Sequence, residues 1–207
     1  MRRIPTTQLH VTAFHESGHV CAAVALKLKF TTVDIIPNED KGRLGCVHQI
    51  SDEIWKRLWD HTNPRVIKLV ERQIVVDLAG AAAERRFEPR SNWLHGSKTD
   101  RENVDIWLQR LISGPPDADY PFEIPEGIEP FYDDEDWYPP HRLLDRKTLD
   151  NYHAKYSARA TALVEQLWPK IQIVAAALLE RKTLSYAEVC KLMTEARRIP
   201  RNKGTRK

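Results

Sequence analysis

His15-Glu16-Ser17-Gly18-His19 lies early in a stretch, Gln8 to Lys29, whose composition reads as one helix. Residues four apart share a helix face, so the two imidazoles project side by side, close enough to hold one divalent metal ion. The glutamate beside the first histidine can reach a water held on that ion. The flanks sharpen the pattern: Thr12-Ala13-Phe14 and Val20-Cys21-Ala22-Ala23-Val24-Ala25 are small and apolar, as suits a helix packed tightly into a core with the histidines as its main polar groups. The bland alternative for such a helix is a pair of hydrogen-bonded core histidines.

A catalytic zinc site needs three protein ligands and an open position. His15 and His19 supply two. The metzincin continuation would place glycine and histidine where Ala22 and Ala25 stand, which excludes that class. A third ligand must come from a later helix, and Glu71, Asp77, Glu84, Asp100, Glu102 and Asp105 are all available. Asp77 and Glu84, seven apart, share a helix face and would need a buried partner, either the metal or a ligand histidine. Asp100 opens a helix after a glycine-containing turn. Spacing alone leaves these tied.

The rest of the chain bounds the class. Its 207 residues and net charge of +3 suit one domain with a sizeable core. Three cysteines, Cys21, Cys46 and Cys190, show no metal-ligand spacing and read as reduced, mostly buried thiols. No signal or transit peptide is legible, and no window approaches the eighteen apolar residues of a membrane span, so a cytoplasmic location without a membrane partner is the expectation. The basic tail, 198–207, reads as a solvated, disordered terminus, and nucleic acid is not an expected partner.

Along the chain, Phe30 to Ile36 and Leu44 to Ile50 alternate around turn formers and predict a hairpin. His48 on the second strand reads as solvent-facing in preference to touching substrate. Pro64 to Glu88 predicts a long helix whose segment Ala79-Gly80-Ala81-Ala82-Ala83 implies close approach by another helix, and Thr99 to Ile112 predicts a further one. The insertion 114–142 follows: Gly114 to His141 holds seven prolines and nine acidic residues with several aromatics, the composition of an extended surface loop or of a lid over the metal site. Arg142 to Trp168 and Pro169 to Lys182 read as two helices, a hairpin or kinked pair broken at Pro169. Ser185-Tyr186-Ala187-Glu188 is a capping box opening a last helix to about Arg197.

Thr12-Ala13-Phe14-His15-Glu16-Ser17-Gly18-His19 resembles the T-A-Y-H-E-A-G-H signature of the peptidase domain of FtsH-type AAA proteases. Val33-Asp34-Ile35-Ile36-Pro37 and Leu44-Gly45-Cys46-Val47 are similar to the two strands that follow it there. Leu78-Ala79-Gly80-Ala81-Ala82-Ala83-Glu84 resembles L-G-G-R-A-A-E, and Gly96-Ser97-Lys98-Thr99-Asp100 resembles G-A-S-N-D. In order and spacing the likeness covers most of residues 6 to 112, and more loosely Leu163 to Met193. Ala81 and Thr99 depart from it, standing where the family has arginine and asparagine. The resemblance implies Asp100 as third zinc ligand beside His15 and His19, and Glu16 as general base.

The fold so implied is mainly α (α+β): one helical zincin-like metallopeptidase domain over residues 1–207, with a small β-hairpin after the HExxH helix. No GxxxxGK[ST] phosphate loop is present, so the resemblance implies a Zn2+ endopeptidase without its own ATPase. Its substrates would be unstructured peptides or unfolded proteins, cut alone or with a separately encoded ATPase, and a homo-oligomer is compatible with the family pattern. The competing expectation is a catalytically silent peptide-binding or regulatory module, against which the intact Glu16 argues.

Overall fold

A computed structural model describes residues 8–38, 43–49, 63–90, 98–113 and 144–195. The insertion 114–142, the tail 198–207, and Gly96 and Ser97 lie outside the described residues. Among the described residues five helices and three short strands follow in the order α1 (Gln8–Ala25), β1 (Phe30–Asp34), β2 (Cys46–Gln49), α2 (Pro64–Phe87), α3 (Lys98–Ser113), α4 (Arg146–Arg181), β3 (Thr183–Ser185) and α5 (Tyr186–Glu195). The described part is mainly helical with one small antiparallel sheet, as the sequence predicts.

The helix of the HExxH motif ends at Ala25, four residues short of the expected Lys29. Lys27 turns left-handed at φ 61, and the Leu28 and Lys27 amides donate back to the Ala23 and Val24 carbonyls at 2.9 and 3.2 Å. That is the glycine-type helix stop, here made by lysine. It reverses the chain into β1, whose register with β2 pairs Val33 with Val47 and Asp34 with Cys46, giving the predicted hairpin. The sheet order is β2-β1-β3. β3 was not legible as a strand, because three residues carry no periodicity. Ser185 still caps α5: its amide and hydroxyl donate to Glu188 Oε2 at 2.8 and 2.7 Å.

Two apolar clusters divide the interior. The first joins α1, the sheet, the alanine face of α2, the C-terminal half of α4 and α5, with Val20, Val33, Ala79, Ala83, Ile171 and Leu178 at its centre. The second joins the N-terminal half of α2, α3 and the first half of α4 through Val70, Ile74, Val104, Trp107, Leu108 and Tyr156. α4 therefore spans both. The expected break at Pro169 does not occur: α4 is one helix of 36 residues with the proline inside. Proline forfeits one backbone bond and crowds the preceding turn. Burial of Val164 and Leu167 before it, and of Ile171, Val174 and Ala175 after it, holds the helix on one course.

By length and composition α4 also passes for a membrane span, with a window of mean hydropathy 1.3, contrary to the expectation that no window comes near. Its faces say otherwise. Thr161, Glu165, Gln166, Gln172 and Glu180 are exposed on one side while the apolar residues are buried against the rest of the fold on the other, the pattern of a core helix. None of the three cysteines forms a disulfide; Cys21 is buried and Cys46 and Cys190 are half-buried.

α1 packs on both α2 and α4. A Cβ on Gly18 would stand 2.5 Å from the Ala79 carbonyl oxygen and 2.7 Å from Ala83 Cβ, so the predicted close approach to the alanine segment is made by the HExxH helix itself. Phe14, stacked on Phe87 at 3.8 Å and on Trp168 at 5.4 Å, ties the same three helices together one residue before the motif. Arg86 lies over Trp168 and pairs with Glu165, adding a further link between α2 and α4.

Candidate metal centre

His15 and His19 are buried on the face of α1 turned toward α2 and the first turn of α3, and Glu16 is buried beside them toward Gly45. His15 Nε2 lies 3.0 Å from His19 Nε2 and 3.0 Å from Asp100 Oδ2, and His19 Nε2 lies 3.4 Å from the same carboxylate oxygen. The three atoms form the one described group of histidine, cysteine or carboxylate donors able to share a metal ion. Asp100, third on α3, is thus brought to the histidine pair from 81 positions further along the chain than His19. Of the candidate carboxylates it alone joins them.

The outer nitrogens decide what the inner ones can do. His19 Nδ1 is 2.8 Å from the Val76 carbonyl oxygen. A carbonyl only accepts, so that nitrogen carries the proton and, in the neutral ring, Nε2 presents a lone pair inward. His15 Nδ1 lies 2.9 Å from Glu84 Oε2; donating to that carboxylate likewise leaves its Nε2 an acceptor. Two imidazole lone pairs and a carboxylate oxygen then face one another at about 3 Å. They repel unless a cation lies among them. A proton bridges one pair at a time, whereas a single ion about 2.0–2.1 Å from each donor, in tetrahedral coordination with ligand atoms about 3.4 Å apart, serves all three.

The ionisation of the cluster tells the same story. Burial works against a charge on His15, yet the hydrogen bonds to Asp100 and Glu84 and the nearby carboxylate charges raise its pKa well above 6.5. His19 rises too, burial again being outweighed by Asp100. Burial would lift Asp100, but the two histidines hold its carboxyl far below the usual carboxylate range. Both histidines are thus drawn toward their charged forms beside an ionised Asp100. Solvent reaches it past Asp100, whose side chain is 23% exposed against 10% for each histidine.

Glu16 stands beside this triangle. Its carboxylate packs against the backbone of Gly45, where an added Cβ would sit 2.8 Å from Glu16 Oε1 and 2.9 Å from the Asp34 carbonyl. Burial raises its pKa, with the neighbouring histidines pulling the other way. A carboxylate so placed is a better proton acceptor than one in water.

Several contributors to the site were not legible in the sequence. The Val76 carbonyl is a backbone group and leaves no residue-type signal. Gly80 did leave one, an isolated glycine in a helical pattern: its missing Cβ is the space the His19 ring fills, since a Cβ there would stand 2.5 Å from Cε1. Glu84 and Asp77, paired by spacing, part company. Glu84 bonds His15, but Asp77 bonds neither histidine. Its oxygens accept from Gln73 Nε2 at 2.6 Å and from the Trp107 indole N–H at 2.9 Å, and burial together with the Asp100 charge pushes its pKa up to about 7. His48 is bonded through Nε2 to Asp34 Oδ2 at 2.6 Å with its side chain 40% exposed, so the solvent-facing reading holds with a partner added.

No protein-family model matches the chain, and no curated protein matches it.

Proposed function

We propose that this chain is a zinc-dependent endopeptidase, a helical zincin-like domain acting on unstructured peptides or unfolded proteins. The observation that carries the proposal is the convergence of His15 Nε2, His19 Nε2 and Asp100 Oδ2 within 3.0 to 3.4 Å, on rings whose outer nitrogens are already engaged, with a buried glutamate next to them. The FtsH-like motif series supports the same reading.

Two nitrogens and one oxygen on three side chains, with access from the Asp100 side, are the donor set of catalytic zinc. Zinc, when bound, supplies Lewis acidity that brings a water's pKa to about 7 and polarises a scissile carbonyl. The chain's residues do the rest. Glu84 and the Val76 carbonyl fix both rings in the metal-binding tautomer. Glu16, its pKa raised by burial, accepts the proton of the attacking water and returns it to the leaving amine. β2 is an edge of the sheet among the described residues and begins one residue after the glycine that touches Glu16. An extended peptide added along that edge would be carried past the base.

The test is Glu16→Gln beside the wild type. The wild type is expected to purify with about one zinc per chain and to cleave casein in a chelator-sensitive manner, while Glu16→Gln keeps the zinc and loses roughly 10²–10⁴-fold in turnover. A wild type that holds zinc and binds peptide without cutting it is a binding module, and one that holds no metal refutes the proposal.

A further inference from the structure

The two histidines stand on α1 and are oriented from α2, but the third donor stands on α3, whose placement has to be fixed separately. Asp100, Val104, Trp107 and Leu111 recur at four, three and four residues, so the donor heads the same stripe of α3 that enters the second core. Val104 and Trp107 are buried there. An apolar stripe resists separation but resists sliding weakly, because hydrophobic contact is non-directional. A ligand needs more. Metal–ligand distances hold to about 0.2 Å, whereas packed helices accommodate shifts of about 1–2 Å.

Trp107 supplies the missing direction. Its indole N–H is a single donor, and it meets Asp77 Oδ2 at 2.9 Å while the other oxygen, Oδ1, accepts from Gln73. Trp107 is 4% exposed, Asp77 7% and Gln73 3%, so these bonds lie in the interior. Asp77 adjoins Val76, whose carbonyl orients His19, and precedes by three residues Gly80, over which the His19 ring lies. One stretch just past the middle of α2 thus reads both the histidine and, through Trp107, the helix of the aspartate.

We propose that Trp107 and Asp77 are positioning residues for Asp100, an indole–carboxylate latch that sets the axial position of α3 on α2 and thereby closes the three-donor triangle. This rests on the metal reading above. Seven residues of helix, about 10 Å, separate latch from ligand, so the latch acts through α3 and touches neither substrate nor ion. Without the bond, the stripe still packs, but Asp100 samples positions from which its carboxylate misses the histidines.

Trp107→Phe keeps the aromatic bulk and deletes the donor; Asp77→Asn keeps an oxygen acceptor for the indole. Zinc affinity by chelator competition, the visible spectrum of the cobalt(II) form and thermal unfolding without metal are measured for both, with Val70→Ala as a comparison. Val70 belongs to the same cluster at 1% exposure and touches no part of the latch's bonding. Trp107→Phe is expected to weaken zinc 10- to 100-fold, the usual effect of removing a ligand's outer support, and to lower the cobalt bands as water replaces a carboxylate. Asp77→Asn should stay within threefold of the wild type. Equal zinc affinity in Trp107→Phe and Val70→Ala at similar loss of unfolding temperature overturns the latch, as does a tenfold loss in Asp77→Asn. If Trp107→Phe does not fold, Asp77→Asn alone decides by the same threshold. A wild type that binds no zinc fails separately, removing the metal reading and the latch with it.

Discussion

Replacing Gly80 with alanine should remove a metal ligand without touching one. A Cβ at that position would stand 2.5 Å from His19 Cε1 and 2.7 Å from Cδ2, whereas carbon atoms in good contact lie about 3.5–4.0 Å apart, so the ring must retreat by about 1 Å. It cannot do so freely, because the ring is buried and Nδ1 is held by the Val76 carbonyl at 2.8 Å. A displacement of that size is several times the roughly 0.2 Å that a metal–nitrogen bond tolerates. Structural zinc sites of four ligands are worth roughly 10–16 kcal/mol, or about 3 kcal/mol per ligand. At 1.4 kcal/mol per factor of ten, zinc binding should weaken by about two orders of magnitude. Folding is spared by comparison: alanine gains about 1 kcal/mol over glycine in a helix, against about 1–3 kcal/mol for crowding a packed site. The assay is zinc competition with a chromophoric chelator beside thermal unfolding of the metal-stripped protein. A folded Gly80→Ala chain that binds zinc within threefold of the wild type would refute the reasoning.

Glu84→Ala removes the carboxylate behind His15 Nδ1 and should lower zinc affinity about 10- to 100-fold, measured by the same competition; an unchanged affinity would show that the ring is held by packing alone. The metal-stripped protein should lose stability as pH rises through neutrality. His15 and His19 have folded pKa values raised above 6.5, so the stability they contribute is complete below 6.5 and disappears as pH climbs through the raised values. Asp77, raised from 3.8 to about 7, acts in the same direction at lower pH, its contribution falling from 3.8 upward and finished by about 7 as its buried charge forms. Zinc competes with those protons, so the rise in melting temperature on adding zinc should grow from pH 5.5 to about 8; a constant increment over that range would contradict the shared-cation picture.

Local pattern carried much of this molecule. Two histidines at a spacing of four in a small, apolar helix define a face, and α-helical geometry alone then guarantees that both rings look the same way. The same local rules gave the hairpin, the long glycine-alanine helix and the Ser185 cap, because each depends on neighbours within a few residues. They misread α4, where a proline was expected to end a helix; burial of Val164 and Leu167 before Pro169 and of Ile171 and Val174 after it, all in one apolar cluster, outweighs one lost backbone bond.

The carboxylate that meets the histidine pair shows where sequence stops. Six carboxylates were chemically equivalent candidates, and only the resemblance to another family favoured Asp100. Nothing within a few residues of Asp100 encodes which helix it will meet. That is decided by Gly18 and Gly80, which let α1 and α2 approach until His19 lies on the α2 backbone, and by the packing of Val104 and Trp107 that carries α3 to the same place. Side-chain identity fixes the donors available; long-range packing, which sums contacts from segments far apart in the chain, fixes which of them share a centre.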